Sequence, residues 1–169
     1  MPETDTKEKT EKIKLWLKDG YNLAIVIILI SAFLFRAYLF FYSSGQTIWY
    51  DESEYGSMAK HYVFNVPYEL SPKRPFTFSG IMSILMLINF SEQSIKFLMV
   101  LIPSTLLVLF VFLLGREMFN KKVAVISALL TAVSWTLLFW ATRMQPDSIS
   151  MCFQVLAILF MWKFFKNFN

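Results

Sequence analysis

A single cysteine, Cys152, leaves this chain of 169 residues unable to close an intrachain disulfide or build a cysteine metal site. It lies in an apolar run and reads as packing. There is also one histidine, His61, and a lone imidazole makes no ligand cluster. Charged residues are only 17% of the chain, and its net charge of +4 is not gathered into the basic face that nucleic acid requires. No internal repeat and no low-complexity tract is present. The first apolar run begins only at Tyr21 and has no small-residue cleavage site behind it, so it is read as a retained anchor rather than a signal peptide.

What fills the chain instead is apolar: 56% of the residues are hydrophobic, 18 of them Phe. They come in nearly uncharged blocks, the mark of membrane spans rather than of a soluble domain with its apolar residues spread at helix or strand period. Residues 1–20 read as a cytoplasmic tail, disordered at first and then an interfacial segment with Trp16 at headgroup level. Residues 21–42 form the first span, 97–115 the second with Pro103 expected to kink it, 123–142 the third and 149–165 the fourth. Between the first two lie a polar loop, 43–78, and a short apolar stretch, 79–92, about half the length needed to cross. It suits a juxtamembrane or re-entrant helix. Arg36 falls roughly 22 Å along the first span from Tyr21, near its far interface. Two readings stand for it, a guanidinium snorkelling to headgroups or an intramembrane cation serving an anionic ligand.

With four spans, ten Lys and Arg share one side: Lys7, Lys9, Lys12, Lys14, Lys18, Arg116, Lys121, Lys122, Lys163 and Lys166. Lys60, Lys73, Arg74, Lys96 and Arg143 fall on the other, with Arg36 at its edge. The positive-inside rule puts the first group in the cytoplasm and the 43–78 loop outside a cell membrane. A fifth crossing by residues 79–92 would erase the asymmetry. The fold class is therefore an all-α integral membrane protein of about four spans, with an external first loop that contains juxtamembrane helices.

That loop carries the chemistry. In DESEYGSMAKHY, Asp51 reads as an N-cap with Glu54 as its capping-box partner, and Glu52, Tyr55, Ala59 and Tyr62 fall along one helix face. A carboxylate fixed at a helix start is also what a general base needs. Further on, Pro67, Pro72 and Pro75 stiffen the chain and present Lys73 and Arg74. These can bind headgroup phosphates nonspecifically or hold a phosphate ligand, the Arg by forked hydrogen bonds and the Lys as a point charge. His61 is read either as a hydrogen-bonded interfacial residue or, with Glu52 or Glu69, as part of a divalent metal site.

Taken together, Tyr50-Asp51-Glu52 with Tyr55, then Lys73-Arg74-Pro75, the short apolar helix, LLGREMFNKKVAVISALLTA and ATRMQPDSISMCF resemble the amino-terminal part of GT-C glycosyltransferases. The branch is that of protein O-mannosyltransferases (glycosyltransferase family 39), aminoarabinose transferases and RgtA-like enzymes, and the resemblance covers roughly residues 20–165. It implies a partial GT-C fold that transfers a sugar from a polyprenyl-phosphate donor to a hydroxyl of a protein, lipid or glycan acceptor outside the cytoplasm. It further implies Asp51 as general base, Glu52 as its support, and Lys73, Arg74, Tyr55 and Arg143 as ligands of substrate and phosphate. Asp147 either lines the same cavity or N-caps the fourth helix. No cofactor is required by these motifs, though a divalent metal would be compatible with them. Where the family usually carries Pro-Pro after the basic residue, this chain has Pro75-Phe76. Such enzymes have more spans, so the chain is expected to be part of a longer enzyme or to need a partner chain, and not to be active alone. Two other classes compete: a non-catalytic membrane subunit whose external loop binds a partner or lipid, and a transporter fragment with Arg36 and Asp51 on a solute path.

Overall fold

The computed structural model describes residues 2–69 and 73–168, with side chains from Glu8 onward. The described residues are mostly helical, joined by turns and short loops, with no strand among them. The order is α1 (Pro2–Leu17), α2 (Gly20–Tyr42), α3 (Tyr50–Phe64), α4 (Phe76–Leu87), α5 (Glu92–Lys96), a π-helical turn (Phe97–Leu101), α6 (Ile102–Met118), α7 (Lys121–Val133), α8 (Trp135–Trp140) and α9 (Asp147–Lys166).

Three helices are long and apolar enough to cross a membrane: Gly20–Tyr42, the continuous Glu92–Met118, and Asp147–Lys166. At 1.5 Å per residue they run roughly 35, 40 and 30 Å, against a hydrocarbon core of about 30 Å. The short stretch after the loop is helical from Phe76, and its 12 residues reach only about 18 Å. It lies against α3 instead: Phe78, Met82 and Met86 pack with Tyr55 and Ala59 in one buried cluster. Asn65 and Asn89, at φ 53° and 64°, follow the ends of α3 and α4 in the left-handed region that Asn tolerates.

Two expectations change. The tail is a helix from Pro2, not a disordered lead. Pro is tolerated at the first helical position, no glycine interrupts the run, and Lys12 pairs with Glu8 one turn back at 2.7 Å. The second span does not simply kink at Pro103. The π-helical turn Phe97–Leu101, closed by the Ile102 N–H on the Phe97 carbonyl, sits just ahead of the residue that has no N–H to continue the α ladder.

The expected span 123–142 is not one helix. It breaks at Ser134 (φ −59°, ψ 118°) into the 13-residue α7 and the six-residue α8. A break strands carbonyls at the end of α7, which hydrocarbon cannot satisfy. Arg36 satisfies them: fully buried, it donates from Nη1 to the Ala132 carbonyl at 3.2 Å and from Nη2 to that of Thr131 at 3.3 Å. Its charge also meets the negative end of the α7 dipole. Arg36 thus does not snorkel; buried, it caps a broken helix. Room for it comes from small residues, Ala124, Ala128 and Ala132 one turn apart on α7 with Ala32 on α2. The α6–α7 turn is as tight. A Cβ on Gly115 would stand 3.0 Å from the Ala124 Cα.

Ion pairs sort to the two ends of the bundle. Asp19 with Lys121, and Glu117 with Lys166 at 3.5 Å, lie at one end. Lys60 with Glu92 at 2.7 Å, Arg143 with Glu52 at 3.4 Å, and Arg74 with Asp51 and Glu54 lie at the other.

Replacing Arg36 by Met leaves the two α7 carbonyls without a donor, at about 1–3 kcal/mol for each buried unsatisfied group. The variant is expected to melt several degrees lower in detergent and to exchange amide protons faster across α8. An unchanged melting point would show that α7 does not need this cap.

Candidate functional site

The loop helix α3 starts two residues before the position read from sequence. Its N-cap is Trp49, and the Glu52 carboxylate reaches back three residues to accept the Trp49 N–H at 3.0 Å. Glu52, not Glu54, is the residue in capping-box position, and Asp51 lies inside the first turn rather than capping it. The shift follows from what Trp49 packs on: its ring lies 5.2 Å from that of Phe139 and 4.2 Å from the Arg143 guanidinium.

Successive helix residues point about 100° apart, whereas residues three apart share a face. So the adjacent carboxylates of Asp51 and Glu52 part company. Glu52 turns inward and is buried. Its Oε1 accepts the Met144 N–H at 2.6 Å, and its Oε2 accepts from Arg143 Nη1 at 3.4 Å as well as from Trp49. Arg143 also donates to Gln46 Oε1 at 3.1 Å. One carboxylate thereby joins the chain after α2, the start of α3 and the turn between α8 and α9.

Asp51 and Glu54 turn the other way, and Arg74 bridges both carboxylates. The guanidinium stands 5.4 Å from the centre of the Tyr55 ring, which is buried edge-on against Phe78. Arg74 holds the Glu54 carboxyl below its ordinary range, and Glu54 in turn raises the guanidinium above its own. Glu54 also pushes the Tyr50 phenol up. Asp51 stays about half exposed.

Two hollows flank this helix and share Ser53 and Ser57 on their common wall. One, a cavity of about 280 Å³, is lined by Glu52, Lys60, Glu92, Lys96 and Arg143 together with Ser43–Ile48 residues, Met82 and Met86. The other is more open, between Tyr50, Glu54, Tyr68 and Glu69. Asp51 lines neither.

Of the residues singled out from sequence, Asp51, Tyr55 and Arg74 come together, and so do Glu52 and Arg143, but as two groups on different faces of α3. Lys73 is exposed beside Arg74. Pro72 lies outside the described residues. Of the four residues expected to share one face, Glu52, Tyr55 and Ala59 are buried, together with Met58, while Tyr62 is 39% exposed. Asp147 is the first residue of α9 rather than its cap. His61 Nδ1 lies 2.8 Å from the Val66 carbonyl; a carbonyl only accepts, so that nitrogen carries the proton. Among the described residues no group of three or more His, Cys, Asp or Glu side chains is placed to hold a metal ion.

Sequence reasoning missed Glu54 as a partner of Arg74, although its three-residue spacing from Asp51 marks the shared face. It also missed Lys96, read only as a topology charge, and Gln46, for which no local signal exists.

Because the Glu54 pKa is lowered on folding, its pairing stabilises the protein above the ordinary carboxylate pKa and is lost as pH falls through the lower folded value. Wild type should therefore melt above Glu54→Gln at neutral pH, and the gap should close on acidification below about pH 4. Melting curves of both proteins across this range provide the check; a gap independent of pH would deny Glu54 the ionic role.

The family model for dolichyl-phosphate-mannose-protein mannosyltransferase matches residues 73–169, more than half of the chain. The match takes in Lys73, Arg74, Lys96 and Arg143, whereas Asp51, Glu52 and Tyr55 precede it. No curated protein and no solved structure gives a significant match. On the strength of that match over its carboxyl-terminal part, the chain belongs to the dolichyl-phosphate-mannose-protein mannosyltransferase family, within the GT-C membrane glycosyltransferases.

Proposed function

We propose that the chain takes part in transfer of a sugar from a polyprenyl-phosphate donor to a hydroxyl of a protein, lipid or glycan acceptor at the extracytoplasmic face. Glycosyl transfer is the general activity of its family. The observation that carries the assignment to this site is the Asp51–Arg74–Glu54 cluster, a half-exposed carboxylate aimed by a guanidinium at the polar end of the bundle.

In this reading Asp51 accepts the proton of the acceptor hydroxyl as its oxygen attacks the anomeric carbon. The bond from that carbon to the phosphate oxygen breaks, and the polyprenyl phosphate leaves with the electron pair. Arg74, matched by two carboxylates, serves first to aim Asp51, while the exposed Lys73 beside it offers a charge to the departing phosphate. Tyr55 supports Arg74 from beneath. Glu52 and Arg143 fix the start of α3, and so the direction of Asp51. The orientation rests on charge: the ends that carry Lys18, Lys121, Lys122, Lys163 and Lys166 hold the larger share of bases, which favours the cytoplasm.

Membranes containing the protein, given a radiolabelled polyprenyl-phosphate sugar, test the proposal. Asp51→Asn keeps the shape and a hydrogen bond to Arg74 but cannot take a proton, so transfer should fall by roughly 10²–10⁴-fold. Transfer by Asp51→Asn within about twofold of wild type would remove Asp51 as the base.

A further inference from the structure

We propose that Asn89 is a modification site, its side-chain amide accepting an N-linked oligosaccharide on the outer side of the membrane. Asn89, Phe90 and Ser91 make up the tripeptide Asn-X-Ser, with X other than Pro, that an oligosaccharyltransferase recognises. Asn22, Asn65, Asn120 and Asn167 have no hydroxyl two residues on. The site rests on the transferase reading only for its orientation, which puts this end of the bundle outside the cytoplasm.

Such a tripeptide matters only where the fold presents it. Asn89 lies in the turn between α4 and α5, and all three residues are exposed. The Asn89 N–H donates to the Met86 carbonyl at 2.9 Å, and the Phe90 N–H to that of Leu85 at 3.1 Å. These bonds close the end of α4 and hold Asn89 at φ 64°. Glycine meets that backbone demand more easily than asparagine, and the demand makes no use of the carboxamide. Among the described residues the Asn89 side chain has no hydrogen-bond partner. Ser91 follows in an extended conformation, φ −67° and ψ 153°, and its Oγ accepts the Ser94 N–H at 3.1 Å as the N-cap of α5. A free amide is therefore displayed on a backbone that is already fixed.

The turn also stands clear of hydrocarbon. The helix Glu92–Met118 has 27 residues and runs roughly 40 Å, against a hydrocarbon core of about 30 Å. Part of it must project, and Glu92 and Lys96 in its first turns mark this end as one that does. Glu92 pairs there with Lys60 at 2.7 Å. Asn89 precedes Glu92 and lies beyond that end. A glycan on it would give the apolar α4, too short to cross, a hydrophilic anchor that keeps it on this side.

In the modification, Asn89 Nδ2 bonds to the anomeric carbon of a lipid-linked oligosaccharide. The bond from that carbon to the phosphate oxygen breaks, and the lipid phosphate leaves with the electron pair. The amide proton passes to a base of the oligosaccharyltransferase, a separate enzyme.

Synthesis of the full chain into microsomes that carry an oligosaccharyltransferase tests this. Wild type should run as a slower gel band that peptide-N-glycosidase returns to the unmodified position. Asn89→Gly suits the left-handed turn and should lose the shift. Ser91→Asp keeps a helix N-cap without the hydroxyl and should lose it too, whereas Ser91→Thr should keep it. A wild type without the shift overturns the proposal, and so does a shift that survives Asn89→Gly. Two further variants separate the site from the orientation. Gly45→Asn completes a second tripeptide with Gln46 and Thr47 after α2, where an added Cβ meets nothing within 4 Å. Lys122→Thr completes one with Asn120 and Lys121 at the opposite end of the bundle. A glycan on Gly45→Asn but not on wild type would sink the Asn89 site and leave the orientation standing. A glycan on Lys122→Thr alone would overturn both. A glycan at Asn89 without any Asp51-dependent sugar transfer would sink the transferase proposal alone.

Discussion

Hydrocarbon offers no hydrogen bonds, and the break at Ser134 is possible only because the chain brings its own donor to it. Arg36 supplies that donor from a neighbouring helix. A continuous span would have carried α8 straight on from α7. The break instead redirects α8, and with it the turn that holds Phe139, Arg143 and Met144 against Trp49 and Glu52. The buried cation therefore acts on the polar end without touching it. An unpaired charge at such depth is costly; here the cost is offset by two carbonyls and a helix dipole that would otherwise be unsatisfied.

Glu52 holds the next link. Its carboxylate gathers two backbone N–H groups and a guanidinium from two separate segments, Trp49 ahead of α3 and Arg143-Met144 in the turn before α9, so the first turn of α3 is held in place against that turn. Helical geometry then does the sorting. With Glu52 committed inward, Asp51 and Glu54 must look outward, toward the segment that brings Arg74. The same rigid turn sets Ser53 and Ser57 as the wall between two hollows. A site of this kind needs few residues of its own, because its directions are inherited from a cap.

The helical membrane character, three of the four expected apolar stretches, and the charged loop are legible in the sequence, since they depend on local composition and on length. Asp51, Glu52, Tyr55, Arg74 and Arg143 could be named from motifs, but not their grouping. Whether Glu52 or Glu54 faces the Trp49 N–H depends on where α3 begins, and that is fixed by Trp49 packing on Phe139, a contact across ninety positions of chain. The split of the 123–142 stretch was hidden for the same reason. Neither Gly nor Pro marks Ser134, and its stabilising partner is Arg36, far away in sequence. Lys96 looked like a boundary charge because nothing local shows that the carboxylates around it would already be taken.

Charge placement at the polar end is best understood as a division between matched and unmatched groups. Arg74 and Arg143 each have partners and stacked rings, so both are held in direction, as positioning groups should be. Lys60 is tied to Glu92 at an exposed rim, where such a pair contributes little to stability. Lys96 differs from all three: its ammonium lies 5.7 Å from the centre of the Phe40 ring and, among the described residues, has no carboxylate within ion-pair distance.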